Sequence, residues 1–274
     1  MRTIKVRPWP VVKSVQRAIR ILEVLGRQEH LTLAALSRKL IAPKTTVFEI
    51  LATLESERLV HRDDELGTYS LGIKLLELGQ MAQCGLELCK LVLPFLQRLN
   101  RELDETVHLT VLDQDEVLYI DCIESSKRLR TYSVIGVHAP LHCTAVGKAL
   151  LAALPPGCRD AIVRRIPLPR FTNSTITDRG QLMNELERIA QRGYAIDNVE
   201  HEEGVRCVGA AVINLAGDVV ASISVSGPTQ RISMQSMDTL AAALLATTRD
   251  ISQRLGAVTP LHQRSRQSDA LLVK

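Results

Sequence analysis

No stretch of the 274-residue chain approaches the ~20 uninterrupted apolar residues that a membrane-spanning helix needs, which excludes that class. The opening segment Met1-Arg2-Thr3-Ile4-Lys5-Val6-Arg7 lacks the apolar centre of a secretion signal, so a cytoplasmic location is expected. The six cysteines, at 84, 89, 122, 143, 158 and 207, include no CxxC pair and lie in apolar or helical contexts; reduced thiols are expected rather than a disulfide framework. A phosphate-binding loop is missing too: around Gly147-Lys148 it would need glycine at 142, where His142 stands, and a hydroxyl at 149, where Ala149 stands. Nor is there a strong charge of either sign, and a net +4 names no partner for the chain as a whole. No cofactor is expected. What the chain does have is a 46% hydrophobic composition and length enough for two domains with buried cores.

The charge is informative in its distribution. Residues 1–48 hold ten Lys or Arg against two Glu, whereas residues 81–256 hold eighteen against twenty acids. The basic excess sits where phosphate contacts would be needed. In the same region Val15, Ile19, Leu22 and Leu25 recur at helical spacing behind Ser14 as a cap, with Gly26 as a stop, which predicts a helix with one buried face. Thr32 can cap a short helix whose Leu33, Leu36 and Leu40 face inward; Ile41-Ala42-Pro43 breaks it, the proline suiting the first turn of the next helix. That next helix begins with Lys44, Thr45 and Thr46 and has Val47, Ile50, Leu51 and Leu54 on its inner face, leaving short polar and basic groups at the end a recognition helix pushes into the major groove. Leu59 to Arg62 and Thr68 to Leu71 then read as two strands about a glycine-containing turn, the wing of a winged helix-turn-helix. A plain helical subdomain with a hairpin is the alternative, and the local basic excess weighs against it.

Before this region, Arg7-Pro8-Trp9-Pro10 reads as an extended arm, and from 257 onward a polar tail of scattered charges is expected. After it, Ile73 to about Lys90 predicts a connecting helix and Leu91 to Leu103 a second one. Thr106 to Leu112 and Val117 to Ile123 read as paired strands about an acidic turn. Helices follow at 145–154, 159–165 and 181–192, and strands at 194–199, 209–214 and 219–226, with a closing helix from Met234 to Leu255. The class is α+β, with a mainly antiparallel sheet.

Two stretches here carry chemistry. Thr144 caps a helix that starts Ala145-Val146-Gly147, small residues that leave backbone N–H groups open to an anion. In Ser222-Ile223-Ser224-Val225-Ser226, strand alternation puts three hydroxyls on one face. That face either lines a polar cavity or meets solvent, and periodicity does not decide which. Cys207 and Asp197 are equally open, since a cysteine by a strand is usually a small core residue and an aspartate after one usually serves a turn.

With both halves laid out, the chain resembles the IclR family of bacterial transcriptional regulators over residues 12–256. The match is carried by Ser14-Val15-Gln16-Arg17-Ala18, Pro43-Lys44-Thr45-Thr46-Val47 with Leu51-Ala52-Thr53-Leu54, Leu141-His142-Cys143-Thr144-Ala145-Val146-Gly147-Lys148-Ala149, Arg192-Gly193-Tyr194 with Asp197, Glu200 and His201, Gly204-Val205-Arg206-Cys207, and Ile223-Ser224-Val225-Ser226-Gly227-Pro228. The resemblance implies a winged helix-turn-helix domain at 12–72, a linker helix at 73–90, a GAF-like effector-binding domain at 91–256 and a flexible tail at 257–274. It implies a double-stranded DNA operator as partner, a small organic acid as effector, and self-association as a dimer or dimer of dimers. The effector site would use Ala145, Val146, Asp197, Cys207, Ser224 and Ser226, turning the hydroxyl face inward. DNA would be met by Arg17, Thr32, Lys44, Thr45, Thr46, Phe48 and Glu49. Two departures stand out. Many relatives carry arginine where this chain has Glu49, and some acid-binding members have glycine where Ala145 stands.

Two other classes compete with a regulator of this kind. An enzyme would use Cys207 as nucleophile with His142 or His201 as base. A metal or redox sensor would draw on His138, His142, Cys143 and His201. No catalytic or metal site is expected under the regulator reading.

Overall fold

The computed structural model describes residues 11–85, 87–131 and 135–256. The expected arm at 7–10 and the tail from 257 lie outside the described residues. The chain divides into two compact units, meeting between residues 86 and 87.

The first unit holds α1 (Lys13–Arg27), β1 (Leu31–Thr32), α2 (Leu33–Leu40), α3 (Lys44–Ser56), β2 (Val60–Asp63), β3 (Thr68–Leu71) and α4 (Lys74–Gly85). As expected, Thr32 caps α2, its Oγ1 accepting from the Ala35 N–H at 3.3 Å. Ile41 then reverses the chain in the left-handed region at φ 50°, and Pro43 precedes α3 as its cap instead of sitting in its first turn. Ile21 and Leu25 of α1, Leu36 of α2, Val47, Leu51 and Leu54 of α3, Val60 and Tyr69 form one small core. The wing turn is set by Asp63, whose Oδ1 accepts from the Glu65 and Leu66 N–H groups at 3.0 Å, and by Gly67 at φ 62°. A third strand, missed in the sequence because it is two residues long, pairs β1 with β3 and gives the order β1-β3-β2.

Helix α1 departs from expectation. It starts at Lys13 after Val12, not behind a Ser14 cap, and Val15 and Ile19 point outward, 56% and 52% exposed, while Ile21 and Leu25 are fully buried. At 3.6 residues per turn the apolar positions form one stripe about half the helix wide: its Ala18, Ile21 and Leu25 edge is packed, its Val12, Val15 and Ile19 edge is open, and the partly buried Leu22 lies between. Spacing alone does not say which edge is covered.

The second unit is built on a six-stranded antiparallel sheet in the order β6-β5-β4-β9-β8-β7. Its strands are β4 (Thr106–Asp113), β5 (Glu116–Ile123), β6 (His138–Pro140), β7 (Ala195–Asn198), β8 (Val205–Ile213) and β9 (Val219–Pro228). The short edge strand β6 was not anticipated, and it ends in Pro140, as suits an edge. Helices α5 (Glu87–Leu103) and α9 (Met237–Arg254) cover one face through Leu96, Leu99, Leu244 and Ile251 against Val107, Leu109, Ile223 and Val225. The boundary between α4 and α5 falls before residue 87, a few residues earlier than the expected break at Lys90. On the other face lie α6 (Ala145–Ala153), α7 (Pro156–Arg165) and α8 (Arg179–Arg192), packed through Val146, Leu150, Ile162, Leu182 and Leu186. Strand β9 is thus covered on both sides, with Ser222, Ser224 and Ser226 as buried as Ile223 and Val225. A solvent-facing hydroxyl row is ruled out.

Candidate functional site

Antiparallel register brings distant residues into rows on the α6 side of the sheet. One row runs Asp197, Cys207, Ser226 and Thr106 across β7, β8, β9 and β4. The next runs Ala195, Gly209, Ser224, His108 and Cys122. At Gly209 the sheet carries no side chain, and the first turn of α6 settles into the gap. A Cβ built there would lie 2.7 Å from the Ala145 carbonyl and 2.9 Å from the Val146 nitrogen. The start of α6 is fixed from the other side by Thr144, whose Oγ1 accepts from Gly147 N–H at 3.1 Å and donates to the Pro140 carbonyl at 2.7 Å. The first-turn N–H groups have no carbonyl four residues back to pair with, so this end favours a negative ligand.

Helix start and sheet row enclose a cavity of about 210 Å³ that includes Ala145, Val146, Asp197, Cys207, Ser224 and Ser226 in its lining. The structure thus brings together all six effector-site expectations. It adds residues the sequence did not single out for this role, among them His108, Tyr119, Val137, Thr131 and Val205. His108 Nδ1 lies 3.2 Å from Ser224 Oγ and 3.4 Å from Ser226 Oγ, and its ring meets Tyr119 edge-on at 5.2 Å. The alternation Thr106, His108, Thr110 was a visible signal, but one that named a face without saying what it faces. Ser222 has a different role: it donates to the Val146 carbonyl at 3.1 Å and binds Thr110 at 2.7 Å, tying β9 to α6.

At the cavity rim, Asp197 Oδ1 accepts from the N–H of Glu200 at 2.7 Å and of His201 at 3.4 Å, around a turn with Val199 at φ 61°. The loop from 166 is bolted to that turn, Thr172 donating to Val199 O and Thr175 to Glu200 O, both at 2.6 Å, and it sets Phe171 5.2 Å from the His201 ring. Behind the turn, buried Lys148 donates to the Ile196 carbonyl at 2.6 Å and pairs with Glu200. Burial pushes the Asp197 carboxyl up to about 7, the neighbouring Glu200 adding to the shift and the backbone N–H bonds and Lys148 opposing it.

That shift has a sign. A carboxyl raised from 3.8 in the fold contributes its stability below about pH 4 and loses it as pH rises to about 7. Asp197→Asn keeps the Oδ1 acceptor and removes the charge, so its stability relative to wild type is expected to rise by on the order of 2 kcal/mol between pH 5 and 8. Denaturant melts at the two pH values measure it; a pH-independent difference would show that Asp197 titrates normally.

The competing readings lose their geometry. Burial and the Asp197 carboxyl push the Cys207 thiol up, away from the thiolate a nucleophile needs. His142 Nε2 is held at 3.0 Å by the Pro169 carbonyl, and His138 Nε2 by Asp113 at 2.8 Å. Among the described residues no three His, Cys, Asp or Glu side chains are grouped to hold a metal ion.

In the first unit, α3 presents Lys44, Thr45, Phe48 and Glu49 to solvent, with Thr46 half-buried. Phe48 is 47% exposed, unusual for an aromatic beside a packed core. Arg17 is exposed on α1, whereas Thr32 is occupied as the cap of α2.

Residues 14–64 match the IclR helix-turn-helix domain, and residues 81–253 match the family described as bacterial transcriptional regulator IclR C-terminal. The chain belongs to the IclR family of transcriptional regulators. It is 36% identical to the HTH-type transcriptional regulator KdgR of Escherichia coli (strain K12), over 89% of this chain and 93% of that protein. Among solved structures it resembles the IclR regulator from Alicyclobacillus acidocaldarius at 27% identity, TM-score 0.79, covering 90% of this chain and all of that one. An IclR homolog from Microbacterium hydrocarbonoxydans, solved in complex with 4-hydroxybenzoate, shares the fold at 23% identity and TM-score 0.76, over 89% of this chain and 100% of its own. As an IclR regulator the chain combines a helix-turn-helix DNA-binding domain with an effector domain, and its relatives are regulators rather than enzymes. Among the described residues no helix is long and apolar enough to cross a membrane.

Proposed function

We propose that this regulator binds a near-palindromic operator in the cytoplasm as a dimer or dimer of dimers, and that a small organic acid in the 145–226 cavity biases it between DNA-competent and incompetent assemblies. The observation that carries the effector half is the juxtaposition of an α6 start with two buried hydroxyls, Ser224 and Ser226, across a cavity of about 210 Å³. A carboxylate accepts from both kinds of donor, while Asp197, Cys207, Ala145 and Val146 bound the rest of the ligand. The carboxylate ligand in the Microbacterium hydrocarbonoxydans homolog is in keeping with this reading.

For the DNA half, Lys44, Thr45 and Thr46 at the start of α3, with Phe48 and Glu49 one turn on, form the base-reading face, and Arg17 and the Thr32 end of α2 approach the phosphates. Residues 12–72 are the DNA-binding domain, α4 is the linker, and residues 87–256, which include α5, are the effector domain. Self-association has a surface to use in the first unit: Val12, Val15 and Ile19 on α1 and Ile73, Leu76 and Met81 at α4 are all exposed.

The test is a gel shift on the operator region. Binding should be salt-dependent, sequence-specific and altered by a carboxylic acid metabolite; binding no tighter than to random DNA would falsify the proposal. Glu49 gives a sharper check. A carboxylate is disfavoured near phosphate but accepts from cytosine N4, so Glu49→Arg should change which operator is preferred, by ten- to a hundredfold at one base pair, without weakening nonspecific binding. Unchanged preference in a selection from randomised DNA would move the reading face elsewhere.

A further inference from the structure

The floor of the cavity contains a histidine whose chemistry decides what Ser224 and Ser226 can do. His108 stands on β4 beside Ser224 on β9, 116 residues away in sequence, and its Nδ1 reaches both serine oxygens, at 3.2 and 3.4 Å. The two hydroxyls are themselves 3.5 Å apart, so each has competing places to send its single proton. Burial pushes His108 down to about 4, so at neutral pH the ring is uncharged and carries one N–H. Which nitrogen holds it matters. With Nδ1 bare, a serine donates into the ring and that proton is lost to the cavity. With Nδ1 protonated, the ring donates to the serine oxygens and both hydroxyl protons are free to turn toward a ligand. A carboxylate offers acceptors only, so it needs the second arrangement.

Resting on the effector reading above, we propose that His108 is the positioning residue for effector specificity: as the Nδ1–H tautomer it donates to Ser224 and Ser226 and turns both hydroxyls into donors for a bound carboxylate. A hydroxyl that accepts from an N–H is also the stronger donor, which adds to the effect.

The experiment uses the full-length protein with pyruvate and 4-hydroxybenzoate as probes. Nitrogen-15 spectra of the histidine rings, with His108 identified by its loss in His108→Phe, are expected to show a protonated Nδ1 when a probe is bound. Calorimetry or shift titration should find His108→Phe about tenfold or more weaker for the carboxylate. His108→Asn, whose amide N–H reaches the place of Nδ1, should recover affinity to within about threefold of wild type. In a Ser224→Ala, Ser226→Ala background His108→Phe should cost nothing further, because the histidine acts through those hydroxyls. A bound state with His108 as the Nε2–H tautomer, assigned with whichever of His108→Phe and His108→Asn folds, overturns the inference, and so does a His108→Phe penalty that persists without the serines. Wild-type protein that binds neither pyruvate nor 4-hydroxybenzoate removes the effector reading and this inference with it. Wild-type binding that His108→Phe leaves unchanged removes the inference alone.

Discussion

Gly209→Ala is expected to destabilise the C-terminal unit by about 1–3 kcal/mol and to weaken carboxylate binding about a hundredfold or more. The added methyl would sit 2.7 Å from the Ala145 carbonyl carbon and oxygen and 2.9 Å from the Val146 nitrogen, all backbone atoms that no rotamer change can move away. Helix α6 must therefore lift from β8. Its other restraints, the Thr144 bonds to Pro140 and Gly147 and the Ser222 bond to the Val146 carbonyl, resist that movement, so strain appears as lost stability. Whatever movement does occur carries the first-turn N–H groups away from Ser224, the residue paired with Gly209 on β9. Two donor sets that must converge on one carboxylate then no longer do so. Thermal melts give the first number and titration with a carboxylate the second. The informative control is Ala211→Ser, two residues along the same face of β8 and paired with Ser222 instead of Ser224. Normal binding by a stable Gly209→Ala protein would mean that the helix start is not a ligand donor.

The second large effect is at Lys148. Its side chain is 1% exposed, donates to the Ile196 carbonyl at 2.6 Å and pairs with Glu200, one of whose carboxylate oxygens, Oε2, has no hydrogen-bond partner. Lys148→Ala removes the only cation in that pair and is expected to cost about 3–5 kcal/mol, the penalty of leaving a carboxylate buried without its partner. Burial already pushes Glu200 up, with Lys148 as the chief opposing influence. Without the lysine its carboxyl rises further, and a raised carboxyl loses stability as pH increases. The variant should therefore be closer to wild type at pH 5 than at pH 8. Combining Lys148→Met with Glu200→Gln removes both charges, and chemical denaturation should find it less destabilised than Lys148→Ala alone. Equal losses for the single and double variants would assign the cost to packing of the lysine stem instead. Because the pair holds the turn that bears Asp197 and His201, effector affinity should fall with stability in the single variant and recover in the double.

Much of the first unit was legible because its signals are local. A threonine three residues before the N–H it caps, a proline before a helix and an aspartate-led turn with glycine each act within one turn of chain. Thr32, Pro43, Asp63 and Gly67 accordingly mark the element ends, Pro43 one position off. Helix α1 was misjudged on the same local information: Val15 and Ile19 read as core, yet they lie on the uncovered edge of the apolar stripe. A stripe shows that a helix has apolar positions; which ones are covered depends on where α2, α3 and β3 approach it.

In the C-terminal unit alternation located most strands but missed β6 and the first half of β8, residues 205–208, which holds Cys207; the residues Ala145, Val146, Asp197, Cys207, Ser224 and Ser226 came from motifs shared with the IclR family. Their meeting is a different matter. Alternation separates Ser224 from Ile223 but is symmetric between the two sides of the sheet, and β9 turned out to be covered on both. The placing of β9 between β4 and β8 is what sets His108 beside Ser224 and Ser226 beside Cys207.

By itself, then, the sequence determined most of the element types, the basic N-terminal region, the Thr32 and Thr144 caps and the family, because each depends on neighbours along the chain or on ordered motifs. Only the tertiary structure decided that the hydroxyl row faces a cavity, that Gly209 admits the α6 start, that Lys148 is a buried partner of Glu200 and that His108 sits beneath the serines. Those depend on strand order, register and layer packing between residues up to 116 positions apart, for which local periodicity contains no term.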